Sequence, residues 1–237
     1  MAIKKKVDIV IPVYNNSCIL EDSIKRQVIF FRKNLSNLAW RIVIADNASK
    51  DNTLELAKKL SRKYKEVAYF HIPEQGRGGA LRYAWINTKA DFVSYMDVDL
   101  ATKLDAFPKM MDALMQGYDV SVGSKYIKGA EYHRDLTRLI LSKGFNLACG
   151  IFLGTHFTDA QLGFKSLTRN AAAKVLPKIK DNFWFFDTEL LYYSEKMGMR
   201  MKEVPVEWKE GKKSGVKLFK TTTSFMKCLF NLKFRGD

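Results

Sequence analysis

Short apolar runs alternate along this chain with stretches in which apolar positions recur every three or four residues. Residues 7–13, Val-Asp-Ile-Val-Ile-Pro-Val, form the first run and read as a buried strand. The polar turn Tyr14-Asn15-Asn16-Ser17 follows. Ile19, Ile24, Val28 and Phe31 then predict a helix over 18–35 with Ser17 as its N-cap. Further strands are expected over 40–45 and 67–72, each followed by a turn and a helical stretch, at 54–64 and 81–87. The fourth run, residues 91–97, leads through Asp97 into Val98-Asp99. Four βα units in succession predict an α/β fold with a mostly parallel central sheet flanked by helices.

In such sheets ligands bind beyond the carboxyl ends of the strands. The four loops at 14–16, 46–53, 76–79 and 97–99 therefore gather on one edge, and all are rich in carboxylates, amides or glycine. Asp97 and Asp99 fall on one side of the backbone, because strand side chains alternate with period two. Two carboxylates on one face repel unless a cation lies between them, and Mg²⁺ or Mn²⁺ commonly bridges such ligands to substrate phosphates. The plain alternative is a loop that is merely acidic. Gly76-Arg77-Gly78-Gly79 has neither the spacing of a dinucleotide fingerprint nor the Lys-Ser/Thr ending of a P-loop. Its glycines are expected to let the backbone approach a ligand while Arg77 or Arg82 meets negative charge; the alternative is a solvated helix start.

Composition narrows the partner. At 237 residues and 47% hydrophobic content the chain can bury a full core. A formal charge of +15 asks for an anionic partner: nucleic acid, an acidic membrane surface or a phosphorylated small molecule. Cys18, Cys149 and Cys228 lack metal spacing and predict a reduced, cytosolic setting, and His71, His133 and His156 do not cluster as zinc ligands. No export signal is expected, since 7–13 is short and contains Asp8. The run 136–154 is broken by Arg138, Lys143 and Asn146, short of the about twenty apolar residues of a membrane span. From 211 to 235 lysines and Arg235 alternate with apolar residues and no acid intervenes. This basic amphipathic segment reads as an anchor on an anionic membrane surface, or as a terminal helix packed on the core. Nucleic acid is not expected, because the aromatics there have the spacing of a helix side and not of an exposed stacking platform.

Ile11-Pro12-Val13-Tyr14-Asn15-Asn16, Asp46-Asn47-Ala48-Ser49-Lys50-Asp51-Asn52-Thr53 and Asp97-Val98-Asp99, in this order, resemble motifs of the inverting family 2 glycosyltransferases of GT-A (Rossmann-like) fold, which use nucleotide-diphospho-sugars. Within them the chain is similar to the dolichyl- and polyprenyl-phosphate glycosyltransferases. The resemblance continues through Gly123-Ser124-Lys125-Tyr126, Asp159-Ala160-Gln161-Leu162-Gly163-Phe164-Lys165 and Phe186-Asp187-Thr188-Glu189. Gly76-Arg77-Gly78-Gly79-Ala80-Leu81-Arg82 and Asp97-Val98-Asp99-Leu100-Ala101-Thr102-Lys103 look like the glucosyl branch, which implies UDP-glucose over GDP-mannose as donor. Two positions depart from the pattern: Asn16 stands where the family often has Glu, and Asn47 where it often has a second Asp.

The resemblance implies a transferase domain over 1–210, with a donor half over 1–103 and an acceptor half over 104–210, followed by the basic segment 211–237. It implies Pro12, Tyr14, Asn16 and Asp46 at the nucleobase and ribose, with Gly76, Arg77, Gly79 and Arg82 also on the donor side. Asp97 would contact the ribose or metal region, and Asp99 would ligate Mg²⁺ or Mn²⁺. Asp187 or Glu189 would orient donor sugar or acceptor, the alternative being acidic residues that favour a helix start. Lys125, Arg138 and Lys217 are expected at the acceptor phosphate. A lipid monophosphate, with its second pKa at about 6, is already largely a dianion at neutral pH, so it needs cations more than a base. The expected activity is hexose transfer to a polyprenyl or dolichyl phosphate at the cytoplasmic face of a membrane. Alternatives are mannosyl transfer from GDP-mannose, transfer to a glycan hydroxyl with Asp187 or Glu189 as base, and non-enzymatic nucleotide or RNA binding.

Overall fold

The computed structural model describes residues 4–133, 136–209 and 218–235, with the backbone alone for 133, 136–138 and 218–222. The first four strands, β1 (Lys6–Val13), β2 (Ala39–Asn47), β3 (Val67–Ile72) and β4 (Phe92–Met96), alternate with α1 (Ser17–Asn34), α2 (Thr53–Lys63) and α3 (Arg77–Ile86). Then come α4 (Ala106–Met115), β5 (Val120–Ser124), β6 (Glu131–His133), α5 (Leu136–Leu153), β7 (Phe164–Thr168) and α6 (Arg169–Val175). The chain closes with α7 (Phe186–Lys196), β8 (Met201–Pro205), β9 (Glu207–Lys209) and α8 (Leu218–Lys233).

One seven-stranded sheet has the order β3-β2-β1-β4-β7-β5-β8, and β6 pairs with β9 in a small second sheet. β7 runs antiparallel to β4 and β5, while the other pairs of the large sheet are parallel. This direction matters for the site. Because β7 is reversed, its first residue, Phe164, pairs with the last residue of β4, Met96. The carboxyl ends of β1 to β5 and of β8, together with the entry into β7, therefore open on one edge.

Alternation along β1 assigns the two faces. Val7, Ile9 and Ile11 join Leu20, Ile24 and Phe31 of α1 and Phe107 of α4 on one side, whereas Val10 joins Val43, Tyr95, Leu81, Phe186 and Leu229 on the other. Near-continuous apolar strands covered on both faces are what a parallel sheet requires.

Two boundaries differ from the sequence reading. Asn16 is the N-cap of α1 and Ser17 its first residue; the Ser17 hydroxyl donates to Asp51 at 2.7 Å. α3 begins at Arg77, inside the glycine-rich segment. A Cβ on Gly78 would lie 2.7 Å from Cβ of Phe186, and one on Gly76 2.8 Å from the Asn182 carbonyl oxygen. The close backbone approach these glycines allow is thus to the chain's own segment 182–186.

Candidate active site

The loops after β1 and β2 are stapled to each other before any ligand is considered. Asn15, with φ of 52°, donates its N–H to Ser49 Oγ at 3.0 Å, and its Oδ1 accepts from Lys50 N at 2.8 Å. The Asn16 amide donates to Thr53 Oγ1 at 2.8 Å, and Asn16 Oδ1 accepts from Tyr14 N at 2.9 Å. Asp51 receives Ser17 and Thr53; desolvation alone would raise its carboxyl, but these hydrogen bonds prevail and hold it at about 2. Asn47 ties a third loop in, donating to the Val13 carbonyl at 2.7 Å and accepting from Gly76 N at 3.2 Å.

Asp46 lies inside this frame, fully buried near the end of β2. Its Oδ2 is 2.6 Å from His71 Nδ1, while Oδ1 is buried without a donor among the described residues. Buried carboxylate oxygens are ordinarily hydrogen-bonded, so Oδ1 is a natural acceptor for a ligand N–H or O–H. Sequence reasoning set His71 aside with the other histidines. The signal was in the register, since parallel pairing of β2 with β3 puts Asp46 opposite His71.

Asp97 and Asp99 follow β4. Asp97 donates its N–H to the Gly163 carbonyl at 3.2 Å, and a Cβ on Gly163 would sit 2.0 Å from Asp97 Oδ2. Only a residue without a side chain leaves that carboxylate its place. Asp99 is exposed and accepts from Ala101 N at 3.0 Å, in a turn where Leu100 takes φ of 51°. Desolvation raises the Asp97 carboxyl; Arg77 pulls it down, and Asp99 and Asp187 push it up again. These carboxylates fit a hard divalent cation as oxygen ligands. Among the described residues no group of three or more His, Cys, Asp or Glu could hold a metal. An ion at Asp99 and Asp97 would accordingly draw further oxygens from a diphosphate and water, the habit of Mg²⁺.

Arg77 does meet negative charge, but it is the protein's own. Its guanidinium donates to Asp97 Oδ1 at 2.9 Å and to Asp187 Oδ2 at 2.5 Å, between the rings of Tyr95 and Trp184. Asp187 is fully buried and also takes the Tyr95 hydroxyl and Lys165 Nζ, the latter at 3.0 Å. Desolvation would raise Asp187, yet Lys165 and Arg77 bring it below the usual carboxylate range. Lys165, also fully buried, is lowered by desolvation and donates to the carbonyls of Leu162 and Ala160 as well. A lysine in the middle of the apolar run Phe164-Lys165-Ser166-Leu167 was the sequence signal for this network.

Other expected site residues are placed away from the edge or have structural partners. Arg82 donates to the carbonyl of Ile179 at 2.7 Å and of Leu176 at 3.3 Å, so it braces the segment before α7. Gly79 donates its N–H to the Asn182 carbonyl at 3.0 Å. Glu189 is fully buried and accepts from the amides of Lys180 and Asp181 and from Arg235 at 2.5 Å. Pro12 is buried and Tyr14 half-buried, both at the β1 end of the edge. On the acceptor side, Lys125 follows β5, buried against Asp159 at 2.8 Å and flanked by the rings of Tyr126 and Trp208. Ser142 and Asn146 of α5 reach the same region, Ser142 accepting from the Tyr126 hydroxyl and Asn146 from the Ala160 amide. Lys217 and the side chain of Arg138 lie outside the described residues.

The profile of Glycosyl transferase family 2 matches residues 8–176. Glycosyltransferase AglD of Haloferax volcanii is 30% identical over 205 residues, which are 86% of this chain and 33% of that protein. The dolichyl-phosphate beta-glucosyltransferase of Saccharomyces cerevisiae is 28% identical over 228 residues, 86% of this chain and 67% of that protein. The chain thus spans between one third and two thirds of these relatives' length. Glucosyl-3-phosphoglycerate synthase from Mycobacterium tuberculosis, crystallised with Mn²⁺, UDP-glucose and glycerol 3-phosphate, superposes with a TM-score of 0.70 at 14% identity, covering 97% of this chain and 80% of the other. That similarity establishes the fold.

Proposed function

The chain belongs to glycosyl transferase family 2, and from that membership we propose that it transfers a hexose, glucose in the first instance, from UDP-glucose to a polyprenyl or dolichyl phosphate at the cytoplasmic face of a membrane. The observation that carries this reading is the contrast at the sheet edge. Asp99 is exposed and Asp97, although paired with Arg77, keeps 42% of its side chain exposed, whereas Asp187 and Glu189 are fully buried and matched by the protein's own donors.

Asp46, in its frame of stapled loops, would hold the base or ribose through Oδ1. Asp99 and Asp97 would hold Mg²⁺ or Mn²⁺, whose charge would stabilise the departing diphosphate. Inversion follows from one in-line displacement at the anomeric carbon. A hydroxyl acceptor would need a general base. The burial of Asp187 and Glu189 among the protein's own donors supports an acceptor that needs no base, as a phosphate does not. Lys125, paired with the buried Asp159, is the described one of three proposed contacts to the acceptor phosphate, with Arg138 and Lys217 as the others. The yeast relative's name supports dolichyl phosphate as acceptor, and the Mycobacterium complexes support UDP-glucose with a divalent ion.

Incubation with Mn²⁺, radiolabelled UDP-glucose and dolichyl or undecaprenyl phosphate is expected to give a chloroform-soluble labelled product. Failure with UDP-glucose, GDP-mannose and other nucleotide-sugars alike would overturn the reading.

A further inference from the structure

Asp46 is held on one oxygen only. Its register partner across the parallel pair of β2 and β3 is His71, whose Nδ1 lies 2.6 Å from Asp46 Oδ2. A carboxylate accepts and does not donate, so Nδ1 is the donor in this hydrogen bond. β3 is the outermost strand of the sheet, and 38% of the His71 side chain is exposed while that of Asp46 is fully buried. The pair thus joins a buried acceptor to a residue at the open rim of the ligand edge.

The other oxygen is left over. Oδ1 is buried and has no donor among the described residues, although the surrounding loops are rich in amides. Those amides are committed elsewhere: the N–H of Asn15 to Ser49, of Asn16 to Thr53 and of Gly76 to Asn47, and the Asn47 side-chain amide to the Val13 carbonyl. A buried carboxylate of purely structural purpose has donors on both oxygens, as Glu189 does. Asp46 therefore offers a ligand a single acceptor. That count bears on the nucleobase. Uracil presents one imide N–H between two carbonyls. Guanine presents a ring N–H and an amino group side by side, a pair that a free carboxylate matches with both oxygens. Cytosine and adenine place a ring-nitrogen lone pair where uracil has its N–H, and a lone pair facing Oδ1 repels it.

We propose that His71 determines which nucleobase the site takes: by occupying Asp46 Oδ2 it leaves the carboxylate one acceptor, which fits the single imide N–H of uracil and leaves one guanine donor unmatched. The inference rests on the transferase reading, in which Asp46 meets the nucleotide, and deepens it by naming the residue that selects the base. Specificity of this kind comes from what the wrong ligand leaves unpaired in a buried place. His71 itself acts through Asp46 and is a positioning residue. Removing its donor frees Oδ2 and with it the second acceptor that guanine needs.

The test is calorimetric titration of the full chain, with Mn²⁺ present, by UDP, GDP and the diphosphate of 3-methyluridine. The unaltered protein is expected to bind UDP roughly ten-fold or more tighter than GDP, the scale of one buried donor left without an acceptor. Methylation removes the imide N–H, so the 3-methyluridine compound should bind roughly ten-fold or more weaker than UDP. His71→Leu should narrow the UDP-to-GDP ratio about ten-fold, whereas His71→Asn, which keeps a donor near the place of Nδ1, should preserve it. If His71 only supports the fold, the Leu variant will weaken both nucleotides together and leave their ratio unchanged, and the proposal fails. Equal binding of UDP and its methylated analogue by the unaltered protein would also overturn it, and that arm stands even where the Leu variant does not fold. Tighter binding of GDP than of UDP by the unaltered protein would reject the role of His71 while leaving a nucleotide-sugar transferase in place. Binding of neither nucleotide would remove the transferase reading and the proposal with it.

Discussion

Two acid-x-acid motifs, Asp97-Val98-Asp99 and Asp187-Thr188-Glu189, are alike in the chain and opposite in the fold. The first sits in a turn beyond β4, with Asp99 exposed and Asp97 partly so. The second opens α7, where both carboxylates are fully buried. Asp187 is matched by Arg77, Lys165 and Tyr95, and Glu189 by Arg235 and two amides. The lesson is one of compensation. A carboxylate that is fully buried and matched by protein donors is a strut, and one exposed at a ligand edge, as Asp99 is and Asp97 is in part beside Arg77, has room for an external cation.

Substitutions can break that contrast, and the largest effect is expected at the open pair. Asp99→Asn should lower kcat/KM by about 10³-fold, the scale of losing a metal's stabilisation of transition-state charge, while the urea midpoint stays where it was. At the buried pair the pattern should invert. Asp187→Asn leaves Arg77 and Lys165 buried without their shared counter-charge, which typically costs about 3–5 kcal/mol of stability. Urea unfolding measures it. A variant with the original midpoint and only kcat reduced would make Asp187 catalytic and dissolve the distinction.

Gly163→Ala sharpens the comparison from outside the motif. The added Cβ would occupy the place of the Asp97 carboxylate, so activity should fall by about 10²-fold, in line with an ångström-scale misplacement. Metal titration of activity should move to weaker binding. The smallest effect concerns acid. Asp51 is held at about 2 against an ordinary value of 3.8. Its folded value lies below its unfolded one, so its contribution to stability is present above pH 3.8 and is lost as pH falls toward about 2. Asp51→Asn should flatten the stability profile in that window, read by denaturation midpoints from pH 5 downward.

Much of the fold was written in periodicity. The strands expected over 7–13, 40–45 and 67–72 lie within β1, β2 and β3, and the four ligand-edge loops do share one edge. The reversal of β7 was not legible, because the run Phe164-Lys165-Ser166-Leu167 carries no mark of direction. The expected site divides similarly. Asp46 stands near the end of β2 and Asp97 and Asp99 just past β4, the two strands that flank β1, as the spacing after each apolar run required. Gly76, Gly79 and Arg82, expected on the donor side, are found against the segment 176–186, a contact that was not legible because a glycine that permits close approach does not say to what. Lys165 and His71 went unassigned because their partners, Asp187 and Asp46, are distant in sequence and meet only through the sheet.

The most direct measurement is the thermal shift of the protein with UDP and with GDP, each with and without Mn²⁺, repeated on Asp99→Asn. Stabilisation by UDP that requires Mn²⁺ and disappears in the variant is the predicted result. Stabilisation by RNA alone, or by nucleotide to the same degree with Mn²⁺ absent and Asp99 replaced, would contradict the assignment of the open carboxylate pair as the metal and diphosphate end of a glycosyltransferase site.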